Sequence, residues 1–105
     1  LSNGQKMAYL GISGVDVTRE ANESLHVPYG AYVTEVEMDS PSMLAGIQQG
    51  DVLTAINGNP LFTYSEYTTV LLQMQPGDTV KLTVMRLAQD EYKEMQFAIE
   101  LGEAQ

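Results

Sequence analysis

The spacing of apolar residues changes several times along this chain, and each change predicts an element. Met7 to Ile12 is a short apolar run broken by Gly11, which predicts a strand entering a tight loop at Tyr9-Leu10-Gly11-Ile12. Strand resumes through Val15 and Val17. Thr18 then precedes Arg19 to Leu25, a short helical stretch that must stop before Pro28. Ala31 to Val36 is β-branched and aromatic and reads as a strand. Ser40-Pro41-Ser42-Met43-Leu44-Ala45-Gly46 places Ser at the cap, Pro at the first helical position and Gly past the end, the grammar of a one- or two-turn helix. Val52 to Ile56 is a buried strand between the turn signals Gly50-Asp51 and Asn57-Gly58. Thr63 and Glu66 have capping-box spacing. Tyr67, Val70, Leu71 and Met74 follow at helical intervals, so the longest helix is expected over 64–74. After the turn at Pro76-Gly77-Asp78, Val80, Leu82 and Val84 alternate with polar neighbours. Beyond a turn near Gln89-Asp90, Met95, Phe97, Ile99 and Leu101 alternate again, predicting a terminal hairpin.

Strands and helices do not alternate strictly, which excludes a doubly wound parallel sheet. The expectation is an α+β, mostly β fold: a small, partly open antiparallel β-barrel of about five to six strands, with one short and one longer helix covering its openings. At 105 residues, 44% hydrophobic and 18% charged, the chain suits one domain with one core. Residues 1–6 read as a linker remnant, 7–101 as the domain and 102–105 as a C-terminal tail.

Charge narrows the partners. The net charge is −9 and the chain has only five Lys and Arg, too few to neutralise a run of phosphates, so nucleic acid is not an expected partner. An anionic membrane surface is disfavoured by the same sign, and no apolar run is long enough for a membrane span. Cysteine is absent, which removes disulfides, thiolate metal sites and Cys nucleophiles. The one histidine, His26, stands before Val27-Pro28, where it reads as a loop residue. No Gly-x-Ser-x-Gly elbow, no Gly-Asp-Ser-Gly segment and no His-x-x-x-His pair occurs, so neither a catalytic residue, a metal site nor a cofactor is expected.

Four segments in order resemble one family. Tyr9-Leu10-Gly11-Ile12 resembles the carboxylate-binding loop of PDZ domains, in the form found in bacterial trypsin-like serine proteases of the HtrA/Deg type. Thr34-Glu35-Val36 with Ser40 to Ile47 is similar to the family's strand and "SPAxxAGL" helix. Gly50 to Gly58 resembles "GDVIxxING", and Gly77 to Arg86 resembles "GDxVxLTVxR". The resemblance spans about Met7 to Leu101. It departs at Ala8, where Gly is often found, and at Glu66 and Tyr67, where the family carries smaller or more apolar residues.

Elementary chemistry suggests how such a chain would act. A tight loop containing Gly11 can aim consecutive backbone N–H groups at one anion, here a terminal carboxylate. The strand leaving it, through Ser13 and Gly14, would offer a free edge to an extended peptide. The ligand's terminal side chain would enter a pocket of Leu10, Ile12, Val70, Leu71 and Met74, while Glu66 and Tyr67 would meet residues further back. The resemblance implies an apolar terminal residue. The chain is then a non-catalytic binding module of an extracytoplasmic serine endopeptidase, periplasmic or at the cell surface, and monomeric as a fragment. Two alternatives remain open at this point: an adaptor or scaffold module of a non-proteolytic protein, and the PDZ domain of an intramembrane metalloprotease. Lys6, close to the loop, could assist a carboxylate through water.

Overall fold

The computed structural model describes residues 7–103. Along it run β1 (Ala8–Tyr9), β2 (Ile12–Asp16), α1 (Arg19–Leu25), β3 (Ala31–Val36), α2 (Pro41–Ala45), β4 (Val52–Ile56), β5 (Asn59–Pro60), α3 (Tyr64–Leu72), β6 (Thr79–Ala88), β7 (Glu91–Glu100) and β8 (Gly102–Glu103). Both short helical segments form, so the described residues hold three helices rather than one short and one longer. Each starts at a hydroxyl cap: Thr18 accepts from the Ala21 N–H, Ser40 from Met43 and Thr63 from Glu66. α3 ends at Leu72, two residues short of the expected Met74. The turn that follows makes its own bonds: the Gln75 N–H donates to the Asp78 carboxylate at 2.9 Å, and the Asp78 N–H to the Gln75 carbonyl at 3.1 Å.

Six strands form one antiparallel sheet in the order β2-β3-β4-β6-β7, with β5 paired to β4. The sheet is open, and β2 forms one of its edges. Residues 102–103, expected to begin a tail, pair instead as β8 with β1, Tyr9 lying opposite Gly102. Gly102 carries no apolar signal, so the alternation that ends at Leu101 conceals this strand. Two irregularities interrupt the register of the sheet. The register between β2 and β3 passes over Thr34, and that between β4 and β6 passes over Thr54. In each case the threonine hydroxyl donates to a carbonyl on the facing strand, Ser13 at 3.2 Å and Thr83 at 3.3 Å. A side chain thus replaces the missing ladder bond.

The main core joins the sheet's inner face to α3 and the loop before β2. Leu10, Val33, Leu53, Ile56, Leu61, Tyr67, Leu82 and Val84 are all buried in it. A smaller cluster of Val17, Val27 and Val52 lies under α1. One buried charge braces the frame. Asp51, 2% exposed, receives Arg86 through Nε at 2.8 Å and Nη2 at 2.7 Å, and accepts the Gln48 N–H at 2.9 Å. Arg86 also donates to the Gly46 carbonyl at 2.8 Å and lies over the Phe97 ring. The pair therefore ties the end of α2 to β4 and β6, and Asp51 holds Arg86 charged beyond the usual arginine range.

Candidate functional site

The loop between β1 and β2 is shaped by two carbonyls that face inward. The Leu10 carbonyl accepts from the Ser42 N–H of α2 at 3.1 Å, and the Gly11 carbonyl accepts from the Glu37 N–H after β3 at 2.7 Å. In a trans peptide unit the N–H points opposite to the C=O. With no cis peptide bond here, the Gly11 N–H points away from α2 and the Ile12 N–H away from β3. Two consecutive donors are thereby aimed outward, the arrangement that binds an anion. Gly11 makes this possible through φ of +88°. A Cβ there would lie 2.1 Å from the Ser40 Cβ, so only glycine fits over the cap of α2.

The outward donors lead onto a strand with one edge unpaired among the described residues. β2 pairs with β3 along one side only, from Ile12 opposite Val36 to Asp16 opposite Ala31, and its other side is the sheet edge. Ile12 and Gly14 share the face turned toward α3. Ile12, Val70, Leu71 and Met74 are half-buried and pack against the main core, while Leu10, 1% exposed, lies beneath them. These apolar side chains thus belong to one cluster with Leu10 of the loop. Met74 joins them from the residue pair beyond α3 rather than from the helix. Tyr9 is half-buried beside the loop, and burial, then its hydrogen bond to Glu37 and the charge of that carboxylate, push its phenol above the usual range.

Glu66 and Tyr67 stand elsewhere than expected. The Glu66 carboxylate accepts from the Phe62 N–H at 2.6 Å and the Thr63 N–H at 3.1 Å, so it is committed to capping α3. Tyr67 is 2% exposed and belongs to the core, where burial raises its phenol far above the usual value. At the end of β2 away from the loop, two other residues meet instead, Tyr64 and Asp16. The Tyr64 ring lies against Gly14, where a Cβ would approach it to 2.9 Å, and the Tyr64 N–H donates to Asp16 Oδ1 at 2.8 Å. Tyr64 is visible in the capping motif, but its partner is 48 positions away. Ser13 is exposed, its carbonyl bonded to Thr34. Lys6 lies outside the described residues. Among the described residues there are clefts of about 780 Å³ beside β3 and the end of α2, about 300 Å³ beside Asn57 between β6 and β7, and about 540 Å³ over the small cluster under α1. None of these is lined by the donor loop.

No group of three or more His, Cys, Asp or Glu among the described residues could hold a metal ion. No helix among them is long and apolar enough to cross a membrane.

A donor loop feeding a free strand edge, with a helix alongside, defines a small domain built for strand addition. The chain belongs to the PDZ domain family, whose model matches residues 8–101. It is 36% identical over 83 residues to the periplasmic pH-dependent serine endoprotease DegQ of Escherichia coli K12, covering 77% of this chain and 18% of that protein. It is 34% identical over 100 residues to a probable periplasmic DegP-like serine endoprotease of Hahella chejuensis, covering 93% of this chain and 20% of that one. The chain thus spans about a fifth of the curated relatives it matches. Among solved structures, the HtrA3 PDZ domain bound to a phage-derived ligand superposes with a TM-score of 0.76 at 30% identity, over 95% of this chain and 89% of that one. The HtrA-type protease AlgW with a decapeptide has the same fold, with a TM-score of 0.77 at 23% identity over 99% of this chain and 32% of that one.

Proposed function

We propose that this domain binds the C-terminal or extended segments of other proteins by strand addition on β2, and serves as the substrate-binding or regulatory module of an extracytoplasmic HtrA/Deg-type serine endopeptidase. The observation that carries this reading is the pair of inward-held carbonyls at Leu10 and Gly11. They free the Gly11 and Ile12 N–H groups for a terminal carboxylate. The ligand's main chain then continues along β2 from Ile12 through Ser13 to Gly14. Its last side chain, apolar, enters the space between Ile12, Val70, Leu71 and Met74 above Leu10, with Tyr9 at the side. Burying a Val or Leu side chain there stabilises the complex by about 1.5–3 kcal/mol. Total affinity is about micromolar, near −8 kcal/mol. The domain contributes binding and no chemistry; hydrolysis belongs to a separate catalytic domain of the parent. The isolated domain is monomeric.

The relatives' periplasmic names and the peptide-bound solved structures support this reading. A fluorescent pool of peptides with apolar C-termini, each made as free acid and as amide, tests it by polarisation. Acids should bind near micromolar and amides lose most of that affinity. Equal binding of acids and amides would show that the groove takes internal segments without a carboxylate.

A further inference from the structure

α3 is held to the ligand edge by a bond from outside its own sequence. Four N–H groups at a helix start have no partner within the helix. Thr63 Oγ1 serves Glu66, while the Glu66 carboxylate turns back to Phe62 and Thr63. The first helical N–H, that of Tyr64, is served by Asp16 Oδ1 from the last residue of β2. The Tyr64 ring leans on the tertiary backbone at Gly14, and it also meets the Tyr67 ring at 5.6 Å, which sits in the core.

This bond ties the last residue of β2 to the first residue of α3. A strand added antiparallel to β2 with its terminus at the Gly11 and Ile12 donors runs its N-terminal side toward Asp16. It would lie about 4.8 Å from β2, between that strand and α3. Beyond Gly14 the Asp16–Tyr64 bond and the Tyr64 ring bridge β2 to the start of α3. The open stretch beside Ile12, Ser13 and Gly14 accommodates about three ligand residues at about 3.3 Å each.

We propose that Asp16 is a latch on the groove: the closed domain takes the last three residues of a terminus, and a longer segment must first break the Asp16–Tyr64 bond. This rests on the peptide-binding reading above. A ligand that needs the open form binds more weakly by the fraction of molecules that are open. Removing the latch therefore raises affinity for long ligands and leaves short ones unchanged.

The test uses the tightest free acid from the pool, made as its last three and its last eight residues. Wild type should bind the two within about twofold of each other, and Asp16→Ala should bind the longer at least about fivefold tighter with the shorter unchanged. Tyr64→Pro removes the donated N–H together with the ring at a position where proline suits a helix start, and should give at least the same gain. In the free wild-type protein the Tyr64 amide should be protected from hydrogen exchange, and Asp16→Ala should release it. If both variants leave the length dependence as in wild type, or if the Tyr64 amide exchanges freely in wild type, the latch is overturned while peptide binding stands. If neither peptide binds any of the three proteins, the groove reading itself fails and the latch with it.

Discussion

Gly11→Ala is the change that presses hardest on the proposed site. The residue sits at φ of +88°, where an L side chain costs about 1–2 kcal/mol. The added methyl would also lie 2.1 Å from the Ser40 Cβ and 2.6 Å from its Oγ. Ser40 cannot swing aside freely, because it is 1% exposed and its Oγ accepts the Met43 N–H at 3.1 Å to cap α2. Overpacking of this kind costs about 1–3 kcal/mol, so the total is about 2–5 kcal/mol. With a urea slope of about 1.5 kcal/mol per molar, the midpoint falls by roughly 1–3 M. The displaced loop also misaims the Gly11 and Ile12 N–H groups, so affinity for free-acid peptides should drop at least about tenfold, 1.4 kcal/mol. Ser40→Gly provides the internal control. Glycine at a helix cap costs only a few tenths of a kcal/mol, and it removes the atoms that the new methyl strikes. The double variant should then recover about 1 kcal/mol or more beyond additivity. Urea melts of the four proteins decide it. A loss below about 0.5 kcal/mol in Gly11→Ala, or strict additivity with Ser40→Gly, would refute the crowding argument.

Three more outcomes follow from the frame. Asp51→Ala should cost about 3 kcal/mol, the low end for breaking a buried pair because Arg86 is partly exposed, read as a urea midpoint shift that changes little with added salt. Ser42→Ala should be neutral or stabilising by up to about 1 kcal/mol, because the Ser42 hydroxyl is buried without a hydrogen-bond partner; a loss above that in a thermal melt would reveal a partner for it. Tyr67 keeps its proton in the folded state well above its ordinary value of 10.0, whereas the unfolded chain releases it near pH 10. Folding stability is thus whole below pH 10 and falls as pH rises above it, by up to about 1.4 kcal/mol per unit from this group. Tyr9 and Tyr92 shift the same way, so the difference between wild type and Tyr67→Phe isolates Tyr67; parallel declines would contradict its burial.

Local chemistry was legible in the sequence wherever it acts within a few residues. The caps at Thr18, Ser40 and Thr63, the glycine stop at Gly46 and the alternation of β6 and β7 all depend on neighbours, and they stand where their motifs put them. Legibility fails at long range. Tyr67 has the same helical spacing as Val70, Leu71 and Met74, and periodicity cannot say that it is buried in the core while they stay half-buried at its margin. Glu66 announced its cap through spacing, and a carboxylate spent on two backbone N–H groups has little left for a ligand. Asp16 carries no motif at all; its role exists only because the fold sets the end of β2 against the start of α3. The strand at Gly102–Glu103 is hidden for a similar reason, since its partner is β1 at the opposite end of the chain.

The same geometry divides the groove into two mechanically different ends. At the loop, folding and binding share atoms. Ser40 caps α2, floors Gly11 and stands two residues before Ser42, whose N–H holds the Leu10 carbonyl. Any change that loosens this corner must lower stability and carboxylate affinity together, because the peptide units that aim the donors are the units bonded to α2 and β3. At the far end, Asp16 and the Tyr64 N–H are exposed and bear only on the first turn of α3, whose capping box is complete without them. Changes there should move affinity for long ligands with little effect on stability, since a single exposed charge-assisted bond contributes about 1 kcal/mol or less. Plotting stability against affinity for variants at both ends should therefore give two separate trends: correlated losses at Gly11, and a gain in long-peptide binding at nearly constant stability for Asp16, whose change leaves the Tyr64 ring packed on the core. A single common trend would mean that the groove moves as one rigid body, and that the bond at Asp16 is a strut of the fold.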